Sequence, residues 1–325
     1  MEFRTAIKIH PEKPAVEYNS KIFLLGSCFV ENISKKLDHY RIQNLSNPFG
    51  ILYHPYSMEN FLKRVASEYK FHEDDIFCYN DRWVSFEAHS QVSSDSKKNL
   101  LEELNKKIKI ARNYLKGTSH CFITLGTTWF YRNNNSGLPV ANCHKISQKN
   151  FTKEIIGIEE TQNILRNIIS LVRSINPGTT IIFTISPVRH LKDGMIENQR
   201  SKGNLISALH DMLEKSHDEN LKYFPSYEIL MDDLRDYRFY GRDMLHPSEE
   251  AVDYVWKLLV ETYFSSEAIE IMQKVEKVQK DLSHRPFNPD SPKHLEFRDK
   301  LEKKVLDLKK LYPHLHFPNF SQGWD

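Results

Sequence analysis

The stretch KIFLLGSCF at residues 21–29 contains a short apolar run that ends in a glycine and a serine. Four consecutive apolar residues bounded in this way are typical of a strand that is buried on both faces. The segment that follows repeats apolar residues at Val30, Ile33 and Leu37, which is the spacing of one helical face. A buried strand that leads directly into an amphipathic helix predicts an α/β unit.

The same alternation of apolar runs and amphipathic segments continues along the chain. Further strands are predicted at residues 121–126, 180–187 and 222–230, and additional β structure outside this alternation at 74–90. Helices are predicted at residues 97–115, 153–175 and 201–215, and a further helix after Ser248 as its N-cap. This order predicts an α/β three-layer sandwich with a central, mainly parallel sheet covered by helices on both faces.

The C-terminal part of the chain has a different composition. Charged amphipathic helices are predicted at residues 265–282 and 293–311, with three prolines between them. We therefore predict a main domain at residues 1–263 and a C-terminal charged helical hairpin at residues 264–325. The hairpin packs either on the main domain or on a partner, and it is the expected surface for any homo-oligomer.

The composition of the 325-residue chain excludes several classes of partner. It has 45 Lys and Arg against 43 Asp and Glu, a formal net charge of +2. Because this balance lacks a field of one sign, we expect neither a nucleic acid nor a membrane as partner. No segment approaches the ~20 apolar residues of a membrane span, and the N-terminus lacks a signal pattern. Four cysteines without a CxxC pair indicate free thiols, so we expect a cytoplasmic protein.

Ser27 is the first candidate for chemistry, because it lies between the first strand and its helix. Gly26 allows a tight turn there, and the helix N-terminus offers backbone donors to a developing oxyanion. A serine in that position is a nucleophile if a base can reach it. The alternative is that Ser27 only caps the helix.

Asp243 and His246 are the second candidate, three residues apart in a loop that enters a helix. The carboxylate can accept a hydrogen bond from Nδ1 of the imidazole, which leaves Nε2 free to take a proton from a serine. The alternative is a surface pair or a helix cap. In a parallel sheet this loop and Ser27 can meet at the carboxyl edge.

Several short blocks together resemble the GSCFA family of the SGNH (GDSL-like) hydrolase superfamily. The segment GSCF at 26–29 follows the family's name motif, with Val30 in place of alanine, and Asp243 and His246 follow the superfamily's D-x-x-H block. The supporting blocks are NPFG at 47–50, TLGTTW at 124–129, NCHK at 142–145 and SPVRH at 186–190. The resemblance covers about residues 20–260 in a consistent order. It implies Ser27 as nucleophile, His246 as general base and acid, and Asp243 as the residue that orients His246.

The resemblance also implies an oxyanion hole made of the Ser27 N–H, the Gly50 N–H and an asparagine side chain. The third block departs from the pattern, since Thr128 stands where the asparagine belongs. The Thr128 hydroxyl is one replacement. Asn142 is the first choice for the missing amide, and Asn47 is the other.

Substrate-binding residues are predicted among polar and aromatic side chains near these blocks. The candidates are His89, Trp129, His144, Arg189 and His190. Each histidine has a structural alternative, and Arg189 either binds an anionic group or pairs at a strand end. Three aromatic residues can stack on a sugar ring or pack in the core, namely Trp83, Trp129 and Tyr131.

The resemblance implies a serine esterase that acts through an acyl-enzyme. Its expected substrate is a small-molecule or glycan ester, with an acetylated carbohydrate favoured by analogy with the superfamily. An acyltransferase with the same catalytic residues and a non-catalytic binding or scaffold protein are the alternatives. No cofactor is implied. Cys28 is expected to be inert packing, and no His or Cys spacing suggests a metal site.

Overall fold

The computed structural model describes residues 5–283, 287–288, 291–315 and 317. The strands are β1 (Ile22–Gly26), β2 (Asn44–Ser46), β3 (Phe77–Tyr79), β4 (Arg82–Val84), β5 (His120–Leu125), β6 (Trp129–Asn133), β7 (Pro139–Val140), β8 (Phe151–Ile155), β9 (Thr180–Ile185) and β10 (Leu221–Phe224). The helices are α1 (Cys28–His39), α2 (Pro55–Ser67), α3 (Lys97–Lys116), α4 (Ile158–Ile175), α5 (Gly194–Glu214), α6 (Ser226–Glu228), α7 (Glu249–Tyr263), α8 (Ser266–Ser283) and α9 (Pro292–Leu311).

The central sheet has five strands in the order β10-β9-β5-β1-β2. Every neighbouring pair in it is parallel. The strands β3 and β4 form a separate antiparallel hairpin, and β7, β6 and β8 form a small antiparallel sheet. A parallel sheet flanked by helices confirms the predicted α/β fold.

Alternate residues of β1 pack into different layers. Phe23 and Leu25 contact the cluster that includes the apolar faces of α2, α3, α4 and α5. Ile22 and Leu24 contact the cluster that includes α1, α7, α8 and α9. Successive side chains of a strand point to opposite faces, so an unbroken apolar run buries both faces of the sheet.

Three boundaries predicted from the sequence are wrong. The helix predicted from residue 201 begins at Gly194. The helix predicted from residue 153 begins at Ile158, because residues 151–155 form strand β8 and Gly157 is the N-cap. The strand predicted at 222–230 ends at Phe224, and Pro225 begins a helical segment that continues to Leu234. Proline cannot donate to a strand ladder, which explains the early end of β10.

The C-terminal helices pack on the main domain, which is one of the two predicted arrangements. Ile271 and Val275 of α8 and Val305 of α9 belong to the same apolar cluster as Ile22 and Leu24 of β1. The domain boundary after residue 263 and the homo-oligomer remain predictions. Within the described ranges, no helix combines the length and apolar character that crossing a bilayer requires.

Candidate active site

The carboxyl edge of the central sheet brings together residues that are far apart in sequence. Ser27 follows β1, Asn47 follows β2, Gly126 follows β5 and His190 lies in the loop after β9. Because these strands are parallel neighbours, their carboxyl ends lie at one edge, which is where open α/β sheets form binding sites.

Ser27 is held in a turn that only glycine permits at the preceding position. Gly26 has φ of +142°, and a β-carbon there would lie 2.2 Å from the Thr124 carbonyl oxygen. Ser27 is the N-cap residue of α1, but its side chain makes no capping hydrogen bond. The hydroxyl is fully buried and has no hydrogen-bond partner in the described part of the chain. Capping therefore does not explain this serine, and unpaired buried polar groups of this kind call for a functional explanation.

Asp243 and His246 form the pair that their spacing predicts. Asp243 Oδ2 accepts a hydrogen bond from His246 Nδ1 at 2.6 Å. Asp243 Oδ1 accepts from the backbone N–H groups of Leu245 at 2.9 Å and His246 at 3.0 Å. These hydrogen bonds hold the pKa of Asp243 well below its usual range. The carboxylate thus fixes the Nδ1–H tautomer and leaves Nε2 as an acceptor, on a side chain that is half-exposed.

The Asp243–His246 loop contacts the loop that carries His190. The backbone N–H of Arg189 donates to the Leu245 carbonyl oxygen at 3.3 Å. Burial and the charges of Lys202 and His246 lower the pKa of His190 to about 3, so its ring is neutral. Since the Ser27 hydroxyl has no partner among the described residues, no hydrogen bond joins it to His246 here. The catalytic triad stays a prediction.

The two predicted backbone donors of the oxyanion hole both donate within the fold. The Ser27 N–H donates to the Thr124 carbonyl oxygen at 3.2 Å. The Gly50 N–H donates to the Asn47 carbonyl oxygen at 2.8 Å. The Ser27 bond is at the long end of the normal range, so it is the one that a second acceptor could share.

The predicted side chains Thr128 and Asn142 each make a hydrogen bond elsewhere in the fold, Thr128 as a donor and Asn142 as an acceptor. The Thr128 hydroxyl lies 3.2 Å from Ser201 Oγ, to which it donates, and its backbone N–H donates to the same oxygen at 2.7 Å. Asn142 Oδ1 accepts from the His144 N–H at 2.8 Å. The structure therefore places Thr128 against helix α5 and gives Asn142 a role in its own loop.

Asn47 lies beside the candidate Ser27 and has an amide nitrogen that no described residue engages. Its Oδ1 accepts a hydrogen bond from the Gly26 N–H at 2.8 Å, which defines the orientation of the amide. Its Nδ2 is buried and has no partner in the described residues. Asn47 is the second of the two asparagines that the sequence suggested, and it is the one next to the Gly26-Ser27 peptide.

A cavity of about 460 Å³ lies beside His190. Four predicted residues line it, namely Trp129, Asn142, His144 and His190. Tyr131, named with the aromatics, lines it as well. The lining also contains four residues that were not predicted, namely Tyr53, Lys153, Lys192 and Asp193.

Other predicted residues lie outside this cavity. The Arg189 guanidinium stacks on the Tyr240 ring at 4.2 Å. His89 packs against Gly50, where a β-carbon would lie 2.5 Å from the His89 Cβ. Trp83 lies under the Lys97 ammonium at 5.4 Å. No group of three or more metal-ligating side chains is found in the described ranges.

Lys202 is a further polar residue near this site that was not predicted from the sequence. Its side chain is fully buried in α5, and its Nζ donates to the carbonyl oxygens of Gly126 and Ser186, each at 2.7 Å. Burial lowers the pKa of Lys202 to about 7. The signal in the sequence was a lysine in register with Leu205 and Leu209 on the apolar face of the helix.

The pH dependence of the free energy of unfolding should reflect the lowered pKa of Lys202. Between about pH 7 and pH 10 the unfolded chain binds a proton at Lys202 that the folded chain has released, so stability rises with pH. The difference in unfolding free energy between wild type and Lys202→Met should therefore change by up to about 1.4 kcal/mol per pH unit in this window. Urea unfolding of both proteins at several pH values measures it, and a constant difference would contradict the expectation.

A family model covers most of the chain. The model of the GSCFA family matches residues 21–258. The chain belongs to the GSCFA family. A second model, described as the C-terminal domain of GSCFA domain proteins, matches residues 275–321 and so covers the second half of α8 and the whole of α9.

Solved structures match the chain only at low identity and with low TM-scores. A carbohydrate esterase family 3 protein from Talaromyces cellulolyticus is 6% identical, with a TM-score of 0.34 over 79% of this chain and 99% of that chain. An acetyl xylan esterase, Est2A, from Butyrivibrio proteoclasticus is 11% identical, with a TM-score of 0.39 over 75% of this chain and 63% of that chain. No curated protein matches the chain significantly.

Proposed function

We propose that this GSCFA protein is a serine-dependent ester hydrolase that acts through an acyl-enzyme. The observation that carries the proposal is the Asp243–His246 pair, whose loop contacts the loop of His190 at the sheet edge where Ser27 lies. The Ser27 hydroxyl and the Asn47 amide nitrogen are buried and have no partner among the described residues. Together with the oriented imidazole, they are the groups that acyl transfer uses.

In the proposed reaction Ser27 Oγ attacks the ester carbonyl while His246 Nε2 takes the hydroxyl proton. Asp243 stabilises the imidazolium that forms. The carbonyl oxygen becomes an oxyanion, which accepts hydrogen bonds from the Asn47 amide and from the N-terminus of α1. The tetrahedral intermediate collapses, His246 gives its proton to the leaving alcohol, and water then releases the acid by the same steps.

This mechanism requires a movement of side chains. Ser27 is fully buried, whereas the His246 side chain is 49% exposed. Catalytic hydrogen bonds of enzymes often tighten only in the substrate complex. The proposal therefore includes formation of the Ser27–His246 hydrogen bond when an ester occupies the site.

The cavity beside His190 favours a carbohydrate ester as substrate. Trp129 and Tyr131 supply aromatic surface on which a sugar ring can stack, and Asn142 and His144 supply polar groups. A volume of about 460 Å³ lies within the range of small-molecule sites. His190 lines this cavity and also lies next to Ser27, so the proposed reaction is removal of an acetyl group from such a ring.

The proposed function is tested by hydrolysis assays and by probe labelling of the purified protein. It should hydrolyse 4-nitrophenyl acetate and release acetate from an acetylated methyl glycoside. A fluorophosphonate probe should modify it at one residue, and mass spectrometry should place the adduct on the peptide that contains Ser27. Absence of both hydrolysis and labelling would overturn the proposal.

A further inference from the structure

The third block of this chain lacks the asparagine that the resemblance leads one to expect, and its replacement is not in the same block. Thr128 occupies the position, but its hydroxyl and its backbone N–H are both engaged with Ser201 of α5. A side-chain donor on the β5 side of Ser27 must therefore come from another segment.

His190 reaches this place from the loop after β9. Its Nε2 and the Ser27 Cβ each lie 3.3 Å from the position that a β-carbon on Gly126 would occupy. That nitrogen is buried and has no hydrogen-bond partner in the described residues. The imidazole therefore presents an unused polar atom next to the nucleophile, in space that a side chain at residue 126 would fill.

We propose that His190 is a catalytic residue of this site, whose Nε2–H donates to the oxyanion in the role that an asparagine side chain has in related hydrolases. The proposal rests on the proposed esterase function and completes its oxyanion hole. The Asn47 amide serves the β2 side of Ser27, and His190 serves the β5 side.

The surrounding residues hold the His190 ring in place. The His190 backbone N–H donates to Asn198 Oδ1 of α5 at 2.9 Å. The Tyr53 ring contacts the imidazole edge-on, with centroids 5.4 Å apart. Lys202 joins the carbonyl oxygens of Gly126 and Ser186, and so ties the end of β5 to the loop that carries His190. A donor that is fixed in this way needs little reorganisation during the reaction.

The electrostatic environment suits a neutral donor. Burial and the Lys202 charge disfavour a second proton on His190, and the low pKa keeps the ring neutral. A neutral imidazole carries one N–H donor and one acceptor nitrogen. Neutral histidines are known to act as electrophiles toward a developing oxyanion.

Two substitutions at His190 distinguish a role as hydrogen-bond donor from a role as general base. His190→Ala should lower kcat for 4-nitrophenyl acetate by about 100-fold or more with KM changed less than about threefold, as for the loss of one oxyanion donor. His190→Gln places an amide N–H near the position of Nε2 and should recover at least about 10-fold of that loss. His210→Ala is the matched control, because this histidine packs on Tyr223 away from Ser27, and it should keep the wild-type rate.

Fluorophosphonate labelling distinguishes the remaining outcomes. Ser27 should still be labelled in His190→Ala, more slowly than in wild type, because the base is His246. An unchanged kcat in His190→Ala would overturn the inference. It would also be overturned if alanine and glutamine at residue 190 both abolished labelling, since His190 would then be the base. Full activity in Ser27→Ala would instead overturn the proposed function, whatever the result at His190.

Discussion

Ser27→Ala is expected to lower kcat for ester hydrolysis by at least about 10⁴-fold and to abolish fluorophosphonate labelling. The proposed reaction needs a nucleophilic oxygen at this position, and the remaining donors supply only the residual rate. The measurement is the initial rate with 4-nitrophenyl acetate under single-turnover and steady-state conditions. Retention of labelling in this variant would contradict the assignment of the nucleophile.

The loss should come from chemistry and not from unfolding. Because the Ser27 hydroxyl is buried and has no partner in the described residues, its removal should leave the melting temperature equal or higher. Cys28→Ala is the matched control at the adjacent residue. Burial raises the pKa of the Cys28 thiol to about 11, so it is protonated at neutral pH and should be dispensable. Its variant should keep labelling and a rate within about threefold of wild type.

His246→Ala is expected to lower kcat by about 10³- to 10⁴-fold, and Asp243→Asn by a comparable factor. Alanine removes the proposed base, whereas asparagine removes the acceptor that fixes the Nδ1–H tautomer. Rates with 4-nitrophenyl acetate measure both variants.

The control for these two variants is Asp236→Asn. Asp236 is an exposed carboxylate that pairs with Arg238, and its loss should leave the rate unchanged. Wild-type rates in His246→Ala would contradict the proposed base. If His246→Ala were inactive but Asp243→Asn kept the wild-type rate, Asp243 would have no orienting role.

The central fold could be predicted because its signals are local. The apolar run of β1 and the spacing of Val30, Ile33 and Leu37 in α1 are patterns within a few residues of the chain. Each pattern shows directly which side chains face the core. The predicted N-cap at Ser248 is confirmed, since its hydroxyl accepts from the Ala251 N–H. Two of the wrong boundaries involve Gly157 and Pro225, where the backbone changes conformation over one or two residues.

The candidate site could be predicted only in part. The Asp243–His246 hydrogen bond follows from a spacing of three residues within a single turn, and the position of Ser27 follows from the order of strand and helix. The choice between Asn142 and Asn47 could not be made in this way. It depends on the Gly26 N–H, which belongs to a neighbouring strand and engages Asn47 Oδ1.

The sequence by itself determined the parallel α/β fold, the strand-to-helix turn at Ser27 and the local Asp243–His246 pair. Only the tertiary structure decided that Thr128 turns to α5, that His190 lies beside Ser27 and that Lys202 is buried beneath them. The physical reason is that a buried polar group takes its hydrogen bonds from whatever long-range packing brings next to it. Residue type and spacing along the chain do not contain that information.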